Sequence, residues 1–246
     1  MKFFDRADST LESRALLSDY DALVAEKLGP DYPFPTRMRD WELTEVLKHL
    51  RPVSGHCRAI DTGSYNTYLG IWIARIADEV VVSDLLMRRL AKSLLRRFRL
   101  APKKPAEAPF ARWYLSMRRA SSKIRIRQVD LTRMPFPDGH FEYITSISVV
   151  EHIPRVEATI AEMYRCLKPG GKLLLTTDCS PEGKPYGDGV RYFTVDELEE
   201  MFYPYPVVSE RRAPDFRREN WCYHGDRPLL TAFVAIEKPS GGERSR

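Results

Sequence analysis

The chain has 246 residues, of which 43% are hydrophobic and 30% charged, enough apolar material for one sizeable core and too much for wholesale disorder. No apolar run approaches the roughly 20 residues that cross a bilayer, and the charged start "MKFFDRADSTLESR" lacks the apolar stretch of a secretory signal, so the expectation is a cytoplasmic protein. Cys57, Cys166, Cys179 and Cys222 are far apart, with no C-x-x-C pair and no histidine cluster, which excludes a disulfide framework and a zinc site from the reading.

The formal net charge of +5 is mild, but it is unevenly spread. Between Leu85 and Arg127 there are fourteen Lys and Arg residues against one acid, Glu107, so the rest of the chain is net negative.

In chain order, residues 1–50 read as a charged, partly helical cap. Within it, "PDYPFPTRM" is an extended connector, since residues before proline avoid the α region. In "RDWELTEVLKHL", Trp41, Leu43, Val46, Leu47 and Leu50 recur at helical spacing, which predicts a packed helix. Residues 51–239 then alternate strand and helix. "CRAID" is a first strand, Leu69–Ala77 a compact helix, Glu79–Asp84 a second strand, Lys123–Asp130 a third and Phe141–Ser148 a fourth. A helix over Val156–Leu167 is stopped by Pro169-Gly170-Gly171, and "GKLLLTTD" is a fifth strand. Thr194 and Glu197 stand at the positions of a capping box for a helix ending at Phe202. Val207–Val208 and Leu229–Ile236 are candidates to close the sheet, and residues 240–246 read as a disordered tail.

Such alternation implies a mostly parallel sheet with helices on both faces, and ligands in these sheets sit beyond the carboxyl ends of the strands. Asp61, Asp84, Asp130 and the segment Ser146–Ser148 each stand at a strand end and are therefore expected around one crevice. "DTGS" at the first strand end can offer backbone N–H groups to a polar ligand. Asp84, twenty-one residues after Gly63, suits the two hydroxyls of a ribose. Each acid also has a plainer role open to it, Asp61 as the cap of its own turn and Asp84 as a solvated strand end.

"AIDTGSYNTYLGIWIAR", "VVVSD", "IRQVDLTRMPFPDGHFEYITSISVVEHI" and "EMYRCLKPGGKLLLTTD" occur in the order and spacing of a known family. Over about Cys57–Asp178 the chain resembles the class I S-adenosylmethionine-dependent methyltransferases, most nearly the type 11 group that is similar to ubiquinone and menaquinone methyltransferases. The resemblance implies a Rossmann-like, seven-stranded, mostly parallel sheet. It implies that Asp61, Thr62, Gly63, Ser64 and Tyr65 wrap the methionine part of S-adenosylmethionine, with Asp84 and Leu85 at the ribose. Asp130 and Leu131 would then face the adenine, and Ser146, Ile147 and Ser148 the far side of the cofactor. Glu151-His152 corresponds to a pair near the acceptor, where His152 is a candidate base with a pKa near neutrality; its plainer reading is a hydrogen bond at a helix start. The family pattern D-x-G-x-G-x-G is broken, because Tyr65 and Thr67 replace its second and third glycines. A Cβ there disfavours positive φ and crowds a ligand.

Between the second and third strands, residues 86–121 form a basic insertion in place of the one modest helix usual in the family. Leu90, Leu94, Leu95 and Phe98 interleave with Arg88, Arg89, Lys92, Arg96, Arg97 and Arg99 as a cationic amphipathic helix. It could contact an anionic membrane surface, bind RNA phosphates, or pack its apolar side on the domain with its arginines solvated. No RNA-binding module accompanies it, so nucleic acid is the least favoured partner. Tyr186, Arg191, Tyr192, Trp221 and His224 are candidates to bind a polyhydroxyl acceptor. The sequence thus predicts an O- or N-methyltransferase for a small molecule, with a sugar or a lipid-linked glycan intermediate as the first expectation. The alternatives are a methyltransferase-like scaffold with a degenerate cofactor loop and an RNA methyltransferase. The sequence does not fix an oligomeric state.

Overall fold

The structure is a computed structural model and describes residues 1–29, 40–65, 67–84, 107–187, 189–221 and 228–240. At its centre lies β2 (Arg58–Thr62), buried from Ala59 to Thr62, as a parallel strand covered on both faces must be. It pairs in parallel with β3 (Glu79–Ser83) on one side and β5 (Phe141–Ile147) on the other. β4 (Ile124–Arg127) extends the sheet beyond β3, and β6 (Leu167–Cys179) extends it beyond β5, both in parallel. β9 (Leu230–Glu237) runs antiparallel to β6 over eight registered pairs, from Lys172–Glu237 to Cys179–Leu230. With β1 (Lys2–Phe3) at the far edge, the described sheet has seven strands in the order β1-β9-β6-β5-β2-β3-β4.

Two apolar layers cover the sheet. On one face, α1 (Leu11–Leu28), α2 (Asp40–His49), α3 (Leu69–Ile73) and α4 (Glu107–Ala120) bury Tyr20, Leu43, Leu47, Leu69, Trp113 and Met117. On the other, α5 (Val156–Cys166) and α6 (Val195–Phe202) bury Ile160, Met163, Leu198 and Phe202. The mostly parallel, seven-stranded sheet with helices on both faces is therefore as the sequence predicted. The capping box is also present: Thr194 Oγ1 accepts from Glu197 N at 3.1 Å, and Glu197 Oε2 accepts from Thr194 N at 2.8 Å.

Three features differ from the sequence expectation. The closing edge strand comes from the N-terminus. Lys2 and Phe3 pair with Phe233 and Ala232, while Val207 makes only an isolated bridge to Ile236 on the same edge. A two-residue strand carries no periodic signal; what holds it is Phe3 in the core and Lys2 Nζ bound 3.2 Å from Glu45 Oε2 of α2. The helix expected over Leu69–Ala77 stops at Ile73 and continues as turns. The stretch after β6, for which the sequence suggested no element, forms a hairpin, β7 (Lys184–Gly187) with β8 (Val190–Tyr192). Of the basic insertion, residues 86–106, including the amphipathic helix expected at Leu90–Arg99, lie outside the described residues. Its last turns in α4 bury Trp113 and Met117 and leave Arg118 and Arg119 exposed.

α3 packs closely on β3 and α4 through a glycine. A Cβ at Gly70 would lie 2.5 Å from Val82 Cγ2 and 3.0 Å from Met117 Cε. Close packing of the first helix on the sheet is the task of the third glycine in a nucleotide-binding loop, and here Gly70 performs it, three residues beyond Thr67. Gly70→Ala should therefore overpack the core and destabilise the chain by about 1–3 kcal/mol. Equilibrium urea unfolding checks this, and an unchanged midpoint would show that the contact is not tight.

Candidate functional site

Register brings the expected residues together. Thr62 at the end of β2 is level with Ser83 of β3 and with Ser146 of β5, so three strand ends lie side by side, about 5 Å apart per step. From β2 the chain builds outward through β3 and β4, then returns to the other side of β2 as β5. The strand order reverses there, where open sheets of this kind leave a crevice.

The turn after β2 enters that crevice. Gly63 has φ +60, and a Cβ on it would meet Val149 Cγ2 at 2.2 Å, so only glycine fits. Ser64 N and Oγ both donate to Ser83 O, at 3.1 and 3.2 Å, pinning the turn to β3. Tyr65 N donates to Asp84 Oδ2 at 3.2 Å, and the Tyr65 ring meets Trp113 edge-on at 5.9 Å. Thr67 donates through Oγ1 to Ser64 O, and the Tyr20 hydroxyl of α1 donates to Thr67 O. Among the described non-glycine residues, only Tyr68 (φ 50) and Ser148 (φ 47) have positive φ. Tyr65 and Thr67 thus carry no left-handed strain, which moves to Tyr68 at the start of α3.

Around this turn the polar groups are buried. Asp84 is 9% exposed and stands directly after β3. Asp61 is 1% exposed; Thr145 Oγ1 donates to its Oδ1 at 2.7 Å, and Oδ2 has no partner of good hydrogen-bond geometry among the described residues. Ser146 is fully buried, with Oγ likewise unsatisfied. Buried polar atoms are nearly always hydrogen-bonded, so two such atoms at one crevice are positions a polar ligand can complete. Ile147 is buried, and Thr62 directs its hydroxyl to Thr145 O at 2.9 Å. Ser148 N donates to Thr176 Oγ1 at 3.0 Å. A carboxylate for a diol, a glycine turn and buried unsatisfied oxygens fit the adenosyl cofactor that the sequence implied.

Other expected residues are placed differently. Asp130 is exposed and accepts from Thr132 N and Oγ1 at 2.9 and 2.7 Å, closing a turn, while Leu131 is buried in the apolar layer. Glu151 and His152 do not face one site, because successive side chains of a 3-10 turn point about 120° apart. Glu151 is buried and accepts from Thr177 Oγ1 at 3.1 Å; His152 is exposed, with Nδ1 2.7 Å from Gly189 O of the hairpin. Tyr186 donates to His152 O, Arg191 pairs with Glu197 at 2.8 Å, and Tyr192 lies under Lys184. Leu85 and His224 lie outside the described residues.

Trp221 lines a half-open cavity of about 840 Å³, together with residues of the N-terminal segment, α1 and α2 and with Thr231 of β9. Asp61, Asp84 and Ser146 do not line it. Glu42 does, and it also reaches the strand ends: Ser148 Oγ donates to its Oε2 at 2.7 Å, as does Thr176 Oγ1. Sequence reading missed Glu42 because the apolar spacing of α2 drew attention to its neighbours. The available signal was two acids, Glu42 and Glu45, in a helix whose residues 42–47 are all buried.

Burial pushes the Asp61 carboxyl up from 3.8 to about 7, and the neighbouring charge of Asp84 adds to this, while Thr145, Thr67 and the Gly70 amide oppose it. Between these values the folded chain holds a proton that the unfolded chain has released, so stability falls as pH rises from about 4 to 7. Above pH 7 the cost is fully present, on the order of 4 kcal/mol. Asp61→Asn should match the parent in thermal stability at pH 4 and exceed it at pH 8. A variant less stable than the parent at pH 8 would contradict the burial of a costly charge there.

Comparison with known proteins finds similarity to methyltransferases. The methyltransferase-domain family matches residues 105–175. A ubiquinone/menaquinone biosynthesis C-methyltransferase of Azotobacter vinelandii is 36% identical over 121 residues, 48% of this chain and 46% of that one. The chain thus spans about half the length of this relative, and the names of the matched relatives include C-, O- and N-methyltransferases. The 1,6-didemethyltoxoflavin-N1-methyltransferase of Burkholderia thailandensis has a similar fold, with a TM-score of 0.55, 16% identity, and coverage of 93% of this chain and 89% of that one. The [4+2]-cyclase SpnF has it too, with a TM-score of 0.51, 18% identity, and coverage of 91% and 81%. By motif order and by sequence likeness over about half of its length, the chain is similar to the class I S-adenosylmethionine-dependent methyltransferases, and its strand order is that of their fold.

Proposed function

We propose that this chain methylates a small molecule, holding S-adenosylmethionine at the ends of β2, β3 and β5 and the acceptor in the cavity beside Glu42. The observation that carries this reading is Glu42 itself, which lines the cavity and is bound by Ser148 and Thr176 at the strand ends. When bound, the cofactor supplies a methyl group on a positively charged sulfur. The chain's part is to align and to exclude water, which supplies much of the catalysis in a displacement of this kind. Asp84 is suited to the ribose hydroxyls once the Tyr65 amide yields it. Gly63 lets the backbone approach, and Asp61 and Ser146 offer buried oxygens. As proton acceptor, Glu42 takes precedence over His152, because Glu42 lines the cavity and His152 is tied to the hairpin.

The acceptor is a small molecule of a class the hairpin does not specify. The sugar or glycan expectation rested on the basic insertion and on Tyr186, Arg191, Tyr192, Trp221 and His224; of these five residues, Tyr186, Arg191 and Tyr192 are engaged within the hairpin and its neighbours, and among the described ones Trp221 lines the cavity.

One observation favours a second reading, a binding protein without turnover: Val149 packs on Gly63 and Tyr65 N occupies Asp84, so the crevice is closed in this state. The cyclase with the same fold illustrates that the fold alone does not dictate the reaction. Calorimetric titration with S-adenosylhomocysteine separates the two. The expected result is micromolar binding, weakened about tenfold or more in Asp84→Ala through loss of charge-assisted hydrogen bonds. Absence of binding by the parent chain would establish the second reading.

A further inference from the structure

We propose that the edge of the sheet formed by α4 and β4 is a docking surface for an anionic phospholipid membrane, which it meets at the lipid–water boundary through Leu115, Arg118, Arg119, Arg125 and Arg127. The proposal stands on exposure and charge and does not rest on the methyltransferase reading.

α4 has two unlike sides. Trp113 and Met117, four residues apart, are buried in the apolar layer that α3 shares, and Ala120 continues that side. Leu115, Arg118 and Arg119 stand three and four residues apart on the opposite side, all of them exposed, Leu115 at 48%. An exposed leucine beside arginines is the pattern of helices that lie on a membrane: the apolar side chain enters the acyl boundary while the guanidinium groups meet the phosphates. α4 leads into β4, which stands at the edge of the described sheet. Ile124 and Ile126 join the same apolar layer as Trp113, so Arg125 and Arg127, also exposed, point to the other side of the sheet. The four arginines thus flank one edge.

Their charge is not spent inside the protein. On other surfaces an exposed arginine can find an acid, as Arg211 does in Glu199 and Arg217 in Asp215 and Glu219. None of Arg118, Arg119, Arg125 and Arg127 forms an ion pair with a described residue. They belong to the stretch Leu85–Arg127, with its fourteen basic residues and one acid, and an anionic bilayer attracts such a surface within a Debye length, roughly 10 Å at 0.1 M salt. Charge on an edge strand also keeps other strands from pairing with it, which accounts for Arg125 and Arg127 but not for Leu115 beside Arg118 and Arg119. A single-stranded nucleic acid would stack its bases on aromatic rings, and among the described residues the exposed positions of this edge hold none. Arg127 is level with Ser83, the residue before Asp84, so a membrane on this edge lies beside the candidate cofactor site.

The test is co-sedimentation of the full chain with vesicles of phosphatidylcholine alone and of phosphatidylcholine mixed with phosphatidylglycerol. The mixed vesicles should bind the chain at least about tenfold more strongly, and raised salt should release it. Arg118→Glu combined with Arg119→Glu should weaken that binding about tenfold or more, and Leu115→Asp should weaken it as well, with the thermal unfolding midpoint of the parent retained in both. Equal binding to the two kinds of vesicle, no binding to either, or parent-level binding by the double variant would overturn the proposal. So would parent-level binding by Leu115→Asp, or tighter binding to polyuridylate than to the mixed vesicles, which would assign the edge to nucleic acid. Should the double variant fail to fold, Arg118→Ala combined with Arg119→Ala takes its place, with a smaller loss expected in the same direction and parent-level binding again overturning the proposal.

Discussion

A single carboxylate joins the two halves of this molecule. Glu42 leaves α2, crosses to the strand ends, and receives the hydroxyls of Ser148 on the β5 side and Thr176 on β6. Removing either the acid or its donors would strand buried polar groups, which is costly. Through this contact the N-terminal helices are placed over the carboxyl edge of the sheet, and the cavity they line is set against the crevice at β2 and β5. The rest of the N-terminal attachment repeats the tactic: Lys2 links β1 to Glu45 and Asp8, and Arg212 closes on Asp8 from the far side of the sheet edge. The residues preceding β2 are therefore part of the construction of the candidate site.

The loop after β2 shows how the family's glycines can be lost without losing the turn. The first, Gly63, is kept where φ is +60 and Val149 leaves no room. The second and third become Tyr65 and Thr67, which avoid positive φ and gain contacts of their own with Trp113, Asp84 and Ser64. Left-handed backbone reappears at Tyr68, and the close approach of helix to sheet moves to Gly70. Strain has been relocated along the loop. The buried, partly unsatisfied Asp61 is a second cost at the same place, and functional sites are where such costs persist.

Much of this was legible in the sequence because the signals were local or periodic. The alternation of strands and helices gave the layers, and Thr194 with Glu197 marked a helix start to the residue. Strand-terminal acids pointed to one crevice because parallel strands align their ends. What escaped had no local signature. The pairing of Lys2–Phe3 with β9 spans the whole chain and rests on two residues. Glu42 sits among apolar neighbours and acquires its role only from Ser148 and Thr176, more than a hundred residues away in sequence. The pair Glu151-His152 looked like one functional unit, but adjacency in a 3-10 turn sends its members to different environments. Asp130 looked like a ligand residue and is engaged by Thr132.

The central claim is that the ends of β2, β3 and β5 form the cofactor site, closed in this state by two contacts that must open. A crystal structure of the chain with S-adenosylhomocysteine tests it most directly. The account predicts the ribose hydroxyls on Asp84, the Tyr65 amide released from that carboxylate, and Val149 turned away from Gly63. S-adenosylhomocysteine bound elsewhere, with the Tyr65–Asp84 and Val149–Gly63 contacts intact, would contradict it.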